Sequence, residues 1–380
     1  MSTNQRIWLS PPHMGGQELE FVKEAFESNW IAPLGPNVDG FEQQLQEVTH
    51  TRAAAALSSG TAALHLALRV LGVQPGDVVL CQSMTFAASA FPVVYEQAEP
   101  VFIDSEASTW NMDPALLEQA LQQYQQQGRR VAAIIIVHLY GMPAQMDQLL
   151  QLAAAYHVPV IEDAAEALGS TYQQQPCGSL GTLGILSFNG NKIITTSGGG
   201  ALVGNHKELV DKARFLSTQA KDPFPHYEHS QIGFHYRMSN ITAGIGRGQL
   251  LVLPERVAQR RAVCAFYQQE LSGLPGLQFL EEPAGSFSNR WLTTVLIDPQ
   301  QSGGVTRETI RLKLEADNIE ARPLWKPMHL QPVFRGAVSF LNGVSEQLFE
   351  QGLCLPSGSS LTTDELHRIC SLIKQCWYEH

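Results

Sequence analysis

The sequence lacks the cysteine pattern of zinc-binding and redox proteins. Its six cysteines are scattered over 380 residues, and no two of them form a C-x-x-C pair. Neither a zinc ribbon nor a thioredoxin-type motif is therefore indicated, and no H-E-x-x-H segment suggests a metal site. We expect free thiols in a reducing cytoplasm and no bound metal.

Long apolar runs are also missing. The most apolar run, 131–137, has the length of a buried strand rather than of a membrane span. The N-terminal residues MSTNQRIWLSPP contain no long apolar segment of the kind found in signal peptides. We therefore expect a cytoplasmic protein that does not associate with a membrane.

Basic residues are outnumbered by acidic ones. The chain has 25 Lys and Arg against 36 Asp and Glu, which gives a formal net charge of -11. Nucleic-acid binding depends on Lys and Arg contacts to phosphates, so we expect no nucleic-acid partner. Local basic residues could still hold a small anionic molecule.

Two nucleotide-binding fingerprints are absent as well. No G-x-G-x-x-G follows the first strand, and no G-x-x-x-x-G-K-[ST] is present. A nicotinamide dehydrogenase and a P-loop enzyme are therefore both disfavoured.

Strand and helix patterns alternate through the first two thirds of the chain. Near-continuous apolar runs predict strands at 131–137, 158–161 and 185–188, buried on both faces as in a mostly parallel sheet covered by helices. A chain of 380 residues is also too long for one simple core. We predict an α/β protein with a large domain at residues 1–250 and a smaller α+β domain at 251–380.

Polar segments follow several predicted strands, at the sheet edge where open α/β sheets bind ligands. The first, Ser58-Ser59-Gly60-Thr61, precedes a helix, whose N-terminal backbone N–H groups can bind an anion. A simple helix cap by Ser59 or Thr61 is the alternative.

The second segment is Glu162-Asp163, at the end of an apolar strand. These carboxylates are either helix caps or functional groups. A carboxylate beneath a pyridine ring keeps the ring nitrogen protonated, which makes the ring an electron sink. Small residues follow Asp163 and leave room for a bound ring.

The third segment, 187–200, contains a single lysine, Lys192. An isolated lysine usually lies at the surface. This one is placed between an apolar strand and a glycine run that permits close backbone approach. A lysine in partly desolvated surroundings can act as a nucleophile and proton carrier.

These segments resemble the DegT/StrS family of sugar aminotransferases, a branch of the fold-type I pyridoxal-phosphate enzymes. The likeness covers nearly the whole chain and is carried by SSGTAALHLAL, TFAASAFPVVY, VIEDAAEALGS, SFNGNKIITTSGGGALV, IGFHYRMSNITAGIG, SNRWLTT and ARPLWKPMHLQPVF, among others. It implies a pyridoxal 5'-phosphate cofactor and the fold-type I transferase fold. That fold has a mostly parallel sheet of the seven-stranded type and a smaller C-terminal α+β domain.

Within the family, the chain looks most like the C4 aminotransferases that act on UDP-4-keto-6-deoxy-N-acetylglucosamine in bacillosamine-type pathways. The resemblance implies L-glutamate as the amino donor, and 2-oxoglutarate and a UDP-4-amino-4,6-dideoxy-N-acetylglucosamine as products. It also implies a homodimer with shared active sites.

The same resemblance assigns roles to individual residues. Lys192 matches the Schiff-base lysine and Asp163 the partner of the pyridine nitrogen. Gly60 and Thr61 match the phosphate-binding turn, and Ser187 matches a further phosphate ligand.

Further cofactor positions carry over with two departures. Phe86 matches the aromatic residue that stacks on the pyridine ring, and Asn189 the polar position before the lysine. Glu166 stands where many relatives have Gln, near the phenolic oxygen of the cofactor. His235 stands where the family has the Asn that reaches the cofactor phosphate of the neighbouring subunit, and simple packing of His235 is the alternative.

Four residues lie in segments that resemble the nucleotide-sugar-binding loops of the family: Asn289, Arg290, Trp325 and His329. Their alternative role is in the stability of the fold. Three other functions are compatible with parts of the sequence. A sugar dehydratase of the same family would have His in place of Lys192, a C3 aminotransferase would differ in regiochemistry, and a regulator or scaffold would not need Lys192 and Asp163.

Overall fold

Helices and strands alternate through residues 5–378, the part of the chain that this computed structural model describes. The helices are α1 (Glu18–Glu27), α2 (Pro36–Thr49), α3 (Gly60–Val70), α4 (Phe91–Tyr95), α5 (Pro114–Gln126), α6 (Met146–Ala155), α7 (Lys207–Ser217), α8 (Asn240–Leu251), α9 (Leu253–Leu271), α10 (Arg307–Ala316), α11 (Val344–Gln351) and α12 (Thr363–Tyr378). The strands are β1 (Ala53–Leu57), β2 (Val78–Gln82), β3 (Glu99–Ile103), β4 (Val131–Val137), β5 (Val160–Asp163), β6 (Thr171–Tyr172), β7 (Gln175–Pro176), β8 (Leu183–Ser187), β9 (Gly200–Gly204), β10 (Leu277–Phe279), β11 (Ser286–Phe287), β12 (Thr293–Ile297), β13 (Arg322–Pro323), β14 (Ser339–Phe340) and β15 (Gly352–Leu355).

The largest sheet has eight strands in the order β1-β9-β8-β5-β4-β2-β3-β14. Strand β9 is antiparallel to both of its neighbours, and every other adjacent pair from β8 to β14 is parallel. The predicted α/β fold with a mostly parallel sheet is therefore confirmed. The sheet exceeds the expected seven strands because the two-residue strand β14 pairs with the edge strand β3.

Burial on both faces explains the near-continuous apolar strands of this sheet. In β4, Ile135 packs in the hydrophobic cluster on one face, while Ile134 and Ile136 pack in the cluster on the other. Successive side chains of a strand point to opposite faces, so both faces of β4 require apolar residues. The strand ends, where the apolar pattern stops, are left free to carry polar groups.

The C-terminal part of the chain forms a second, four-stranded antiparallel sheet in the order β10-β12-β15-β13. Helices α9, α10 and α12 supply apolar residues to the cluster against this sheet. Ile7 belongs to the same cluster and bridges to Ile319. The N-terminal segment therefore starts beside the second sheet before the chain enters the large one.

Prolines interrupt two segments whose sequence has a helical pattern, at 240–271 and at about 85–95. The first breaks at Val252, because Pro254 occupies the first turn of α9 and lacks the N–H needed to continue α8. The second forms a short 3-10 turn followed by α4, with Pro92 in the first turn of α4. Within residues 5–378, no helix combines the length and apolar character needed to cross a membrane.

Candidate active site

A cavity of about 310 Å³ lies at the carboxyl ends of the parallel strands β5 and β8. This edge of an open α/β sheet is where ligands bind. The structure brings most of the predicted site residues to the cavity wall: Gly60, Thr61, Phe86, Asp163, Glu166, Ser187, Asn189, Lys192 and Trp325.

The N-terminus of α3 forms one side of the cavity. Ser59 caps the helix, because its Oγ accepts a hydrogen bond from the Ala62 N–H at 3.0 Å. The N–H groups of Gly60 and Thr61 belong to the first turn, where a helix offers no acceptor of its own. Both residues line the cavity, so the capped start of this helix also presents N–H groups that could bind an anion.

A glycine on the neighbouring strand makes this turn possible. A Cβ atom at Gly200 would lie 2.3 Å from the backbone nitrogen of Gly60. Only a residue without a side chain can therefore pass this close to the first turn of α3. The close approach also brings Ser187 to the same turn, where its Cβ lies 3.2 Å from the position of a Cβ on Gly60.

Asp163 is held in a fixed orientation at the end of β5. Its Oδ2 accepts a hydrogen bond from Ser89 Oγ at 2.7 Å, and its Oδ1 accepts one from the Ala165 N–H at 3.2 Å. Ser89 Oγ in turn lies 2.7 Å from Thr85 Oγ1. Asp163 is 8% exposed and lines the cavity, which places an oriented carboxylate where a bound ring would meet it.

The carboxylate of Glu162, next to Asp163 in the chain, has different contacts. Glu162 lies on the opposite side of β5, where it accepts hydrogen bonds from the N–H groups of Gly178, Leu180 and Gly181 and lies 2.8 Å from His138 Nε2. Of the two carboxylates at this strand end, Glu162 organises the following loop and Asp163 lines the cavity.

Lys192 is almost buried, with its side chain 12% exposed. Its Nζ lies 3.6 Å from Oε1 of Glu166 and 4.2 Å from the centre of the Trp291 ring. Trp291 lines the cavity, although it was not among the predicted site residues. The lysine amine thus faces the cavity between a carboxylate and an aromatic ring.

Glu166 is buried beside this amine. Burial raises the pKa of its carboxyl, and the opposing contributions of the Lys192 charge and of the Tyr140 N–H lower that pKa in part. The Tyr140 N–H donates to Glu166 Oε2 at 2.7 Å. The position of the carboxyl is therefore set by backbone as well as by the lysine.

Two aromatic rings, those of Trp291 and Trp325, also line the cavity. Both stack with the ring of Tyr140, at 6.4 and 6.2 Å between centroids. Trp325 in turn lies 5.5 Å from Phe86, whose side chain is 55% exposed. Phe86 therefore stands at the open side of the cavity, where it is free to cover a ligand.

The structure does not bring four predicted residues to this cavity. The Asn289 amide is buried and donates to the carbonyls of Glu166 and Leu168, which fixes backbone instead of leaving a free polar group. Arg290 donates to the Leu280 carbonyl. Neither residue lines the cavity, and their substrate-binding roles stay a prediction.

The other two residues also have protein partners elsewhere. His329 Nδ1 lies 2.7 Å from Ser83 Oγ, and its Nε2 lies 3.3 Å from Glu346. His235 is exposed on its own chain, with its Nδ1 2.8 Å from Gln219 Nε2. Within one subunit, His235 therefore does not contribute to the cavity.

The residues present fit pyridoxal phosphate. The first turn of α3 with its close glycine at position 200 suits a phosphate group, Asp163 suits a protonated ring nitrogen, and Lys192 supplies a primary amine. A lysine, an oriented carboxylate and an anion-binding helix start are the set that this cofactor requires.

Comparisons with known proteins identify the family of the chain. The sequence model of the DegT/DnrJ/EryC1/StrS aminotransferase family matches residues 12–374. The chain is 53% identical over 97% of its length to Bacillus subtilis EpsN, covering 95% of that protein, which is named as a candidate pyridoxal phosphate-dependent aminotransferase. It is 37% identical to the GDP-perosamine synthase of Caulobacter vibrioides, over 99% of each chain.

A solved structure extends the similarity to the fold. DesI, crystallised in the presence of its TDP-sugar product, superposes with a TM-score of 0.90 and 28% identity. The match covers 98% of this chain and 93% of DesI.

Proposed function

We propose a reaction for this chain from the premise that it belongs to the DegT/DnrJ/EryC1/StrS aminotransferase family. It is a pyridoxal phosphate-dependent aminotransferase that acts on a nucleotide sugar. The proposed reaction transfers the amino group of L-glutamate to C4 of UDP-4-keto-6-deoxy-N-acetylglucosamine. Its products are 2-oxoglutarate and UDP-4-amino-4,6-dideoxy-N-acetylglucosamine, a precursor of bacillosamine-type glycans.

The observation that carries an amino-transfer function is the meeting of Lys192, Asp163 and the first turn of α3 in one cavity. When bound, pyridoxal phosphate supplies an aldehyde and an electron-accepting ring. The Lys192 amine would hold the cofactor covalently and, once the amino group of the donor displaces it, would move the proton at the donor's α-carbon. Asp163, oriented by Ser89, holds a proton at the ring nitrogen.

The aromatic wall supports a role in excluding water. Trp291 and Trp325 line the cavity, and both stack on the ring of Tyr140, whose hydroxyl accepts a hydrogen bond from the backbone N–H of Trp325 at 2.8 Å. Burial raises the pKa of Tyr140 well above its ordinary value, so its hydroxyl stays neutral. A dry, apolar wall strengthens the interaction between the lysine amine and nearby carboxylates.

The UDP-linked sugar is proposed on the likeness of the quoted sequence segments to C4 enzymes. A GDP-linked 4-keto-6-deoxy sugar is the second candidate, because the chain is 37% identical to a GDP-perosamine synthase along its whole length. A nucleotide provides binding energy remote from the reacting carbon, so the two candidates differ in which base the protein recognises and share the chemistry at C4.

The proposed active unit is a homodimer in which the partner subunit completes the site. His235 is exposed and outside the cavity of its own chain, as a residue acting on a neighbour would be. Two-fold dimers are the commonest assemblies of soluble enzymes.

The test supplies purified protein with L-glutamate and one of three acceptors: UDP-4-keto-6-deoxy-N-acetylglucosamine, a GDP-4-keto-6-deoxy sugar, or a UDP-3-keto-6-deoxy sugar. Release of 2-oxoglutarate is followed, and the product is identified by mass spectrometry and NMR. We expect efficient turnover of the UDP-4-keto sugar alone, and none by the Lys192→Ala variant. Turnover of only the GDP-linked sugar would favour the second candidate, and turnover of only the 3-keto sugar would overturn C4 regiochemistry.

A further inference from the structure

A buried arginine lies near the segment that carries Lys192 but does not line the cavity. Arg260, on α9, is 1% exposed. Its Nη1 donates to the Trp291 carbonyl at 2.6 Å, and its Nη2 donates to Ser10 Oγ at 2.9 Å. Through these two bonds the helix α9 is connected to the N-terminal segment and to the cavity wall.

Both partners of Arg260 converge on one atom. Ser10 Oγ donates to the Asn191 carbonyl at 2.6 Å, and Trp291 Nε1 donates to the same carbonyl at 2.7 Å. Asn191 precedes Lys192, so this carbonyl belongs to the peptide unit that carries the Lys192 nitrogen. Two donors on one carbonyl fix the orientation of that peptide plane.

Trp291 acts on the side chain of the lysine as well. Its ring centre lies 4.2 Å from Lys192 Nζ, within the range of a cation–π contact. Trp291 therefore holds Lys192 at both ends, by its indole N–H at the backbone and by its ring at the amine. Arg260 in turn fixes the backbone of Trp291.

Arg260 forms no ion pair with a carboxylate among residues 5–378. The charge that shifts its pKa is that of another arginine, Arg256. Burial and, to a smaller extent, the charge of Arg256 lower the pKa of Arg260 to about 9, so the guanidinium remains charged at neutral pH. A buried cation without a counter-ion is expensive, and apolar replacements of buried charges are often neutral or stabilising. Fold stability alone gives little reason for an arginine here.

We propose that Arg260 is a positioning residue for Lys192, acting through Ser10 and Trp291 to orient the 191–192 peptide and the lysine amine in the cavity. This inference rests on the proposed cofactor-binding role of Lys192. Arg260 does not line the cavity, so it acts only through its hydrogen-bond partners.

The chain offers a matched control one helical turn away. Arg256 is also on α9 and is 3% exposed, but it donates to the Met14 carbonyl and to the side chains of Glu255 and Gln259. None of these partners touches the Asn191 carbonyl. Arg256→Met therefore removes a buried arginine of the same helix and leaves intact the hydrogen bonds that connect Arg260 to the Asn191 carbonyl.

The experiment measures the rate at which cofactor-free protein, prepared from the holoenzyme, regains its borohydride-sensitive visible band on addition of pyridoxal phosphate. The variants are Arg260→Met, Arg260→Lys, Ser10→Ala and Arg256→Met, each with its melting temperature. We expect Arg260→Met to slow band formation by about tenfold, because small misplacements of a reacting group have effects of this order. Ser10→Ala should slow it less, Arg260→Lys should restore part of the rate, and Arg256→Met should stay within about twofold of wild type.

Equal rates for Arg260→Met and Arg256→Met at similar melting temperatures would overturn the proposal. If Arg260→Met does not fold, a wild-type rate in folded Ser10→Ala would overturn it instead. A Lys192→Ala variant measured in parallel separates failure of the Arg260 proposal from failure of the proposed role of Lys192. If that variant forms the same borohydride-sensitive band, the proposed role of Lys192 is wrong, whatever the Arg260 variants show.

Discussion

The amine of Lys192 lies 3.6 Å from the carboxyl oxygen Oε1 of Glu166. Burial raises the pKa of this carboxyl despite the nearby lysine charge and the Tyr140 N–H. A carboxyl whose pKa is higher in the folded protein holds its proton more tightly there. The contribution of this carboxyl to folding stability is therefore fully present at low pH and is lost as the pH rises through the raised pKa.

The Glu166→Gln variant should reveal this dependence. Glutamine keeps an oxygen acceptor for the Tyr140 N–H but cannot ionise. In cofactor-free protein, its melting temperature should therefore increase relative to wild type between about pH 5 and about pH 8. Each unit by which folding raises the pKa of Glu166 corresponds to about 1.4 kcal/mol of folding free energy. A difference between the two proteins that is the same at every pH would contradict an ionisable, burial-shifted Glu166.

The Asp163→Asn variant tests the ring partner. The amide can still meet the Ser89 hydroxyl, so cofactor binding should persist, but a neutral amide cannot hold a proton at the ring nitrogen. The visible band should remain while kcat for glutamate falls by at least about a hundredfold, the scale of a lost electrostatic group. Turnover near that of the wild type would refute the electron-sink role of Asp163.

Gly200 tests the phosphate-binding turn. A methyl group at this position would lie 2.3 Å from the Gly60 nitrogen, so the turn must move to accept it. Gly200→Ala should cost about 1–3 kcal/mol of folding free energy, as overpacking does, and should weaken cofactor retention during dialysis. Gly273→Ala is the control, because a Cβ there meets no atom within 4 Å. Unchanged cofactor retention in Gly200→Ala would argue against this turn as the anion site.

Subunit mixing tests the proposed shared site. His235 is exposed, whereas the nearby Arg237 is buried and bound to Glu42 and the Ala56 carbonyl of its own chain. His235 is therefore the residue to vary. If Lys192→Ala and His235→Ala proteins are each inactive, mixing them should restore part of the activity in heterodimers with one intact site. Absence of rescue after exchange has been shown with tagged subunits would speak against His235 acting in trans.

The sheet could be predicted because its signal is local. Strands buried on both faces, such as β4, are apolar at nearly every position, so each is visible in the sequence on its own. Strands of two residues, such as β14, carry no such pattern and depend on pairing with β3. The breaks at Val252 and before Phe91 depend on single prolines, which outweighed otherwise helical patterns.

The cavity was predictable for the same reason, since Asp163 and Ser187 end strands that the sequence displays. Trp291 could not be found this way, because it comes from the C-terminal part of the chain and reaches Lys192 only through folding. Its neighbour Asn289 seemed equally available for a ligand in the sequence, but backbone carbonyls occupy its amide. The local sequence does not indicate whether Asn289 or Trp291 faces the segment around Lys192, which lies far away in the chain.

Covalent attachment of pyridoxal phosphate to Lys192 can be tested on that single residue. Purified protein is reduced with borohydride, digested, and its peptides are analysed by mass spectrometry. We predict one pyridoxyl-phosphate adduct, on the peptide that contains Lys192, and loss of the visible band on reduction. An adduct on another lysine, or an equally yellow and borohydride-sensitive Lys192→Ala protein, would show that Lys192 is not the attachment site.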